Sequence, residues 1–411
     1  MLALKRLVII VLLAALLGSA VGCGGSEKPA GEATDPGTEA SEPTSEETDP
    51  ASAVKMPVVD RNGVRLGEID SRANCSAADA GIFYSIFALE NYEFTATAEY
   101  RFFNKEDHTD VLLGRLEGQG YEAYYARTEL NGSIYTLAVQ GMAGGEGTPL
   151  LLLAFDPAGQ TMKTFTVSEN GFPYADMAAV NGKLLIMSHE LSEKKDVICE
   201  FDPSSEALKQ VLSFSSDTDS LRGICSADSG FYLLRLKIGD AGENEMFVDL
   251  YGSDYGKTSE QSVNETMVDA IMTIPGMLGR QDALNEIGMN VVHFSVEEGR
   301  YLLYENLGMA RIIADLKTGE TILAKNDLYS VSLGSGTPAV YRMDYDNDNI
   351  QGPEILILEN GSLTAYAFQP INSHRLIRRV SRSGSGTWMI LTSDDFRSFC
   401  WTLAAHLWTE S

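Results

Sequence analysis

A turn glycine leading into a short apolar strand recurs along this chain at nearly constant spacing. It stands at Gly81-Ile-Phe-Tyr-Ser, Asn131-Gly-Ser-Ile-Tyr-Thr-Leu, Asn181-Gly-Lys-Leu-Leu-Ile-Met and Ser229-Gly-Phe-Tyr-Leu-Leu. The glycines at 81, 132, 182 and 230 lie 51, 50 and 48 residues apart by subtraction. The unit returns less regularly at Gly299-Arg-Tyr-Leu-Leu-Tyr, Gly336-Thr-Pro-Ala-Val-Tyr and Gly386-Thr-Trp-Met-Ile-Leu. A second marker follows the first by about 20 residues, at Leu153-Ala-Phe-Asp-Pro and Cys199-Glu-Phe-Asp-Pro, with echoes at Phe247-Val-Asp-Leu and Ile313-Ala-Asp-Leu-Lys-Thr-Gly-Glu. Gly, Asp and Pro shape hairpin turns, and the Val, Ile, Leu, Phe, Tyr and Thr runs between them read as strands. The expectation is an all-β chain.

A period of about 45–50 residues with several strands per unit is the pattern of a β-propeller blade. One four-stranded sheet cannot bury both faces alone. Packed between neighbours it can, and ring closure protects its edges. Seven units of about 51 residues fill residues 55–411, with six to eight blades within range. Pro57-Val58-Val59 and Phe399-Cys400-Trp401-Thr402-Leu403 could share a blade and close the ring. A pair of β-sandwiches also reads as spaced strands; the regular period favours the propeller. The pattern resembles the irregular WD-repeat-like propellers of bacterial lipoproteins. It departs from them in lacking a Trp-Asp dipeptide, and it lacks the regular tryptophans of quinoprotein-like blades.

One unit is longer. Gly230 to Gly299 is 69 residues, and the excess lies near Ser259–Gly288. There Asn264 can cap a helix with Met267, Ile271 and Met272 on one side, ended by Pro275. Such an insertion can serve as a binding face or pack on the rim.

The N-terminus supplies an address. Lys5-Arg6, an apolar run from Leu7 to Leu17, then Ala20-Val-Gly-Cys23 form a secretory pattern with cysteine at the cut. About 11 apolar residues are too few to span a bilayer comfortably. The stretch resembles the lipobox of bacterial lipoproteins, with Ala20 where Leu is usual. That resemblance implies a signal peptide over 1–22 and a Cys23 that carries the lipid (palmitate) as the new N-terminus. Residues 23–54 are then an acidic tether: Glu27, Glu32, Asp35, Glu39, Glu42, Glu46, Glu47 and Asp49 face only Lys28. So little apolar surface cannot offset the entropy of ordering. The expected place is the outer face of the cell membrane.

The chain has 58 acidic and 31 basic residues, a formal charge of −27. That charge argues against nucleic acid, since neutralising phosphates needs Lys and Arg. Beyond Cys23, Cys75, Cys199, Cys225 and Cys400 are too few for a disulfide scaffold, though pairing stays open. Cys199 and Cys225 sit in apolar runs and read as buried thiols.

The sharpest site is Asp344-Tyr-Asp346-Asn-Asp348-Asn-Ile350-Gln-Gly-Pro-Glu354. Alternating carboxylates on a tight loop suit a hard cation such as calcium. A solvated acidic hairpin is the plain alternative. The loop is similar to the calcium loops of FG-GAP-type propeller repeats. That resemblance implies Asp344, Asp346 and Asp348 as ligands, a carbonyl from Ile350, and Glu354 as a late closing acid, with calcium in a structural role.

Nothing points to catalytic residues. His108, His189, His293, His374 and His406 are scattered, and no Gly-x-Ser-x-Gly elbow or phosphate loop occurs. Tyr121, Tyr124 and Tyr125 could stack on a sugar, but aromatics are ordinary strand residues. Two function classes follow. One is a lipid-anchored, non-catalytic propeller that binds an envelope protein or glycan, or scaffolds a complex. The alternative is an extracellular propeller enzyme acting on glycans, a glycosidase or lyase.

Overall fold

The computed structural model describes residues 54–56, 64–70, 74–90, 93–107, 109–117, 120–140, 149–170, 175–190, 192–239, 244–274, 291–306, 310–326, 328–330, 332–333, 339–342, 354–359, 361–368, 376–382, 387–393 and 400–409. They are nearly all strand.

Two strands come first, β1 (Val54–Met56) and β2 (Val64–Asp70). Five antiparallel four-stranded sheets follow in chain order. Sheet 1 is β3 (Asn74–Ala78), β4 (Gly81–Glu90), β5 (Glu93–Asn104) and β6 (Asp110–Glu117). Sheet 2 is β7 (Gly120–Leu130), β8 (Ser133–Gln140), β9 (Leu150–Asp156) and β10 (Thr161–Ser168). Sheet 3 is β11 (Asp176–Val180), β12 (Lys183–Glu190), β13 (Lys195–Asp202) and β14 (Ala207–Ser215). Sheet 4 is β15 (Asp219–Ala227), β16 (Gly230–Ile238), β17 (Asn244–Gly252) and β18 (Lys257–Ser262), after which comes helix α1 (Asn264–Thr273). Sheet 5 is β19 (Val291–Glu297), β20 (Tyr301–Asn306), β21 (Ala310–Asp315) and β22 (Glu320–Lys325).

Two five-stranded sheets complete the described residues. They use β23 (Leu328–Ser330), β24 (Ser332–Leu333), β25 (Ala339–Arg342), β26 (Glu354–Glu359), β27 (Ser362–Phe368), β28 (Leu376–Arg382), β29 (Thr387–Ser393) and β30 (Cys400–Thr409). Sheet 6 runs β1-β27-β26-β25-β23, with β1 parallel to β27. Sheet 7 runs β2-β30-β29-β28-β24. Its β2 pairs antiparallel with β30, Val64 opposite Ala405 and Asp70 opposite Cys400. The N-terminal strand beside the Cys400–Leu403 segment is thus Val64–Asp70. Residues 57–59 lie outside the described residues.

Alternation explains why the inner strands carry apolar residues on both faces. Successive strand residues face opposite sides, so a strand buried on both faces has no polar side. In β12, Leu184 and Ile186 pack toward sheet 2 while Leu185 and Met187 pack toward sheet 4. In β20, Leu302 and Tyr304 join the core shared with sheet 4, and Tyr301 and Leu303 join the core shared with sheet 6. The fourth strands are wetter, and β18 is exposed at every position.

The two sequence markers are turns of two chemistries. Asn131-Gly132 and Asn181-Gly182 both have positive φ at each residue (54° and 77°; 50° and 77°), the hairpin turn that Asn-Gly favours. Gly230 serves close approach instead: a Cβ there would lie 1.9 Å from the Tyr251 carbonyl oxygen. The Asp marker is an Asx turn. Oδ1 of Asp156, Asp202 and Asp315 accepts the backbone N–H two residues on, from Ala158, Ser204 and Lys317 at 3.0, 2.9 and 2.9 Å. The echo at Asp249 departs from this: that residue is buried within β17, and Asp254 takes the turn by accepting from Gly256 N–H at 3.1 Å.

The long unit behaves differently from its sequence reading in three respects. Ser259–Ser262 belong to β18, so the extra chain starts at Val263. Asn264 is the first helical residue, not the cap; Val263 holds that position without a side-chain capping bond. Met267, Val268, Ala270 and Ile271 are buried, whereas Met272 is 47% exposed, because it falls on the other side of the helix. The helix packs between sheets 4 and 5. Residues 275–290 lie outside the described residues, and among those described no helix is long and apolar enough to cross a membrane.

Candidate functional site

Cys23, Asp344, Asp346, Asp348 and Ile350 lie outside the described residues, and Glu354 opens β26. Tyr121, Tyr124 and Tyr125 lie on β7, with side chains outside the described set. Among the described residues no group of three or more His, Cys, Asp or Glu is placed to hold a metal ion. The polar chemistry that is described gathers in the seams between sheets and along the innermost strands.

In the seam between sheets 3 and 4, Asp196, the second residue of β13, is almost fully buried. Its Oδ1 pairs with His189 Nδ1 at 2.8 Å and accepts from the Ser216 hydroxyl at 3.0 Å. Its Oδ2 accepts from Leu221 N–H at 2.7 Å and the Ser220 hydroxyl at 3.2 Å, both on β15. Burial pushes this carboxyl up, but His189, the Leu221 N–H and the Ser216 hydroxyl outweigh it and leave the acid stronger than usual. One side chain therefore joins two strands of sheet 3 to the first strand of sheet 4. The Tyr255 hydroxyl bonds Glu200 across the same seam.

Arg235 on β16 shares the face of Phe231 and Leu233, which pack in that seam. It donates to Asp249 (2.7 Å), Asp219 (2.5 Å) and Glu260 (2.7 Å) and lies 4.9 Å from the Phe247 ring centre. Burial opposes its charge, yet Asp249 and Asp219 more than restore it, so the guanidinium is held protonated. On sheet 5, Arg311 donates to Glu305 Oε1 at 2.8 and 3.0 Å, both residues nearly buried.

The innermost strands converge: β7 lies against β11, β11 against β15, β15 against β19, and β19 also approaches β7. Asp176 opens β11 and accepts from Ile224 N–H on β15 at 3.0 Å and its own neighbour Met177 N–H at 2.8 Å. Burial pushes its carboxyl up to about 6, against those two donors. Burial lowers the pKa of His293 on β19, with Glu305 acting the other way. Cys199 and Cys225 are both free thiols. Burial pushes Cys199 up to about 11 and Cys225 well above its usual value. Both stay protonated at neutral pH, the opposite of what a nucleophilic or metal-binding thiol needs. The side chains of Cys75 and Cys400 lie outside the described residues.

These residues were not singled out from the sequence as site candidates. Asp249 did appear as a turn echo, and His189 and His293 as scattered histidines. Pairing such as Arg235 with Asp249 depends on strand register, which residue spacing does not reveal.

No family model matches the chain, and no curated protein matches it in sequence. Its fold is similar to solved structures at low identity. A chain in the crystal structure of the mitotic checkpoint complex aligns with a TM-score of 0.48 at 12% identity, covering 87% of this chain and 98% of that one. An oligogalacturonate lyase in complex with manganese gives 0.45 at 13% identity, covering 85% and 98%. The β-propeller domain of the trilobed protease from Pyrococcus furiosus gives 0.42 at 8% identity, covering 71% and 82%.

Proposed function

We propose that this protein is a lipid-anchored, extracytoplasmic β-propeller of seven blades that binds or scaffolds at the cell envelope without catalysis. Residues 1–22 act as the signal peptide, Cys23 carries the lipid, residues 23–54 are the tether and residues 55–411 the propeller. Seven sheets among the described residues support the blade number, and the pairing of β2 with β30 supports closure by a shared blade. The observation that carries the binding reading is where the ionisable groups are spent. Asp196, Arg235, Asp249, Glu305 and Arg311 have internal partners that join strands and sheets, and both described thiols are held protonated.

The test is capture from intact envelope with the anchored wild-type protein, beside Cys23→Ala. The wild type retains defined envelope partners, while Cys23→Ala loses palmitate labelling and leaves the membrane. Unchanged labelling in that variant would refute the anchor. Turnover of a polysaccharide or peptidoglycan fragment by the purified domain would replace binding with catalysis.

Calcium is a structural part of this proposal, held by Asp344, Asp346, Asp348, the Ile350 carbonyl and Glu354 just ahead of the apolar strand β26. A ligand that binds only the folded state stabilises it by mass action. Millimolar calcium should therefore raise the melting temperature, and Asp346→Ala should remove most of the rise. Equal melting in chelator and in calcium would leave a solvated hairpin.

A further inference from the structure

In each of sheets 2 to 6 the turn from the third strand to the fourth ends on a left-handed residue: Gln160 (φ 52°), Glu206 (55°), Tyr255 (65°), Gly319 (75°) and Gly361 (79°). Glycine adopts this conformation freely, whereas a bulky side chain there is a backbone outlier. Tyr255 is the one aromatic among the described non-glycine residues with positive φ. Such strain persists only where the surroundings hold it, and it concentrates in segments that switch.

The left-handed position is where a sheet meets the element before it. Glu206 of sheet 3 bonds Lys163 of sheet 2, and Tyr255 of sheet 4 bonds Glu200 of sheet 3. Where glycine stands, the contact comes from the other side. A Cβ at Gly361 of sheet 6 would lie 3.3 Å from the Tyr301 hydroxyl of sheet 5. One at Gly319 of sheet 5 would lie 3.6 Å from Thr266 Oγ1 of α1. Of these contacts, the one made by Tyr255 joins backbone strain, a buried ring and a hydrogen bond in a single side chain.

Its ring lies 6.4 Å from that of Phe231, which in turn stacks on Tyr251 at 5.3 Å. The Glu200 carboxylate that accepts from its hydroxyl also accepts from Lys183 at 2.7 Å. The turn is closed by Gly252 N–H to the Gly256 carbonyl (2.9 Å), Tyr255 N–H to the Gly252 carbonyl (3.0 Å) and Gly256 N–H to Asp254 Oδ1 (3.1 Å). Thr258 adds a side-chain bond to the Leu250 carbonyl at 3.1 Å. Apart from Tyr255, residues 253–259 are exposed. They lie between Gly252, paired with Gly230 in the sheet, and Glu260, fixed by Arg235 at 2.7 Å. A short segment with little buried surface and fixed ends can open locally while the sheets around it stay folded. The strain at Tyr255 belongs to the closed form and so lowers the cost of release.

We propose that residues 253–259 are a clasp on the seam between sheets 3 and 4, with Tyr255 as its pin. Closed, the Tyr255 hydroxyl is bonded to Glu200 and the ring lies beside Phe231. Open, Tyr255 returns to negative φ, its hydroxyl meets water, and Glu200 and Phe231 lose their cover, while sheets 3 and 4 stay folded. The clasp is a conformational device of the fold itself and does not depend on the lipid anchor.

The experiment measures amide hydrogen exchange of the full-length protein, corrected for intrinsic rates. It is read at the bonded amides of Gly252, Tyr255 and Gly256 and, for comparison, over β15 and β16. In the wild type the turn should exchange through a local opening that added denaturant barely promotes, whereas β15 and β16 exchange through larger openings that it does promote. Tyr255→Phe keeps the ring and loses only the hydroxyl. Exchange of the turn should rise about tenfold, with β15 and β16 within about twofold of the wild type. Tyr255→Gly suits the left-handed backbone, yet it should also speed exchange of the turn, because the pin is gone. Unchanged turn exchange in Tyr255→Phe, slower turn exchange in Tyr255→Gly, or an equal rise over β15 and β16 overturns the clasp. So does wild-type turn exchange with the denaturant dependence of global unfolding, a result that stands even if the glycine variant fails to fold.

Discussion

Two neighbouring seams of this molecule are held by different physics. Between sheets 3 and 4 the apolar cluster around Phe231, Leu233 and Leu185 is flanked by charge: Asp196 bonded to β15, Asp176 to Ile224, Glu200 to Tyr255, and Arg235 among three carboxylates. Between sheets 4 and 5 a broad apolar cluster runs from Leu234 and Val248 through the helix residues Met267, Val268 and Ile271 to Phe294 and Ile312. Outside that cluster, Gln261 donates to the Leu316 carbonyl and Thr266 to the Gly319 carbonyl. Charged clusters are directional and sensitive to pH. Apolar burial is neither, and scales with area. The first seam specifies register, and the second supplies bulk stability to a place where the repeat is interrupted.

The contrast can be broken at its strongest point first. Arg235→Ala leaves Asp249 fully buried with Lys257 3.6 Å away as its remaining cation. Removing one partner of a buried ion pair costs about 3–5 kcal/mol. Denaturant unfolding should show that loss; one below about 1 kcal/mol would mean the network adds little to the seam. Met267→Ala in the second seam should cost about 2–4 kcal/mol through a cavity, with no change in the dependence of stability on pH. A pH-dependent loss there would erase the distinction drawn between the seams.

The smallest effect is the most diagnostic. The Asp176 carboxyl is raised to about 6 by burial, so between its unfolded value near 4 and its folded value the native state holds more protons. Stability from this group therefore falls as pH rises from about 4 to about 6. Asp196 has the opposite sign: its carboxyl is lowered, so its contribution is present above about 4 and is lost as pH falls below that. Melting curves across pH 4–6 should flatten in Asp176→Asn, and an unchanged slope would show that this carboxyl does not titrate there.

Much of the fold is legible in local sequence. Asn-Gly turns, Asp turns and uninterrupted apolar strands are written in contiguous residues, so Asn181-Gly182, Asp202 and the run Leu184–Met187 announce themselves. What remained hidden is non-local. Asp249 looked like a turn residue until its register opposite Leu233 placed it in the seam. Met272 looked like a core residue, but Val268 and Ala270 complete the buried face of α1 and leave it outside. Of the candidate site, His189 was visible as a lone histidine, and its partner Asp196 was not, because strand register sets them opposite each other.

The pairing of β2 with β30 also sets an order of events during folding. Sheets 1 to 5 are meanders whose strands lie close in sequence, and each can form from contacts among its own residues. Sheet 7 joins Val64 to Ala405, and sheet 6 joins Val54 to Tyr366. Contacts between such distant residues form late, because the cost of closing the loop precedes any gain. Until the final strand docks, β2 is an unpaired strand of a chain already half folded. The last ten residues of the described structure therefore act as the latch that ends its exposure.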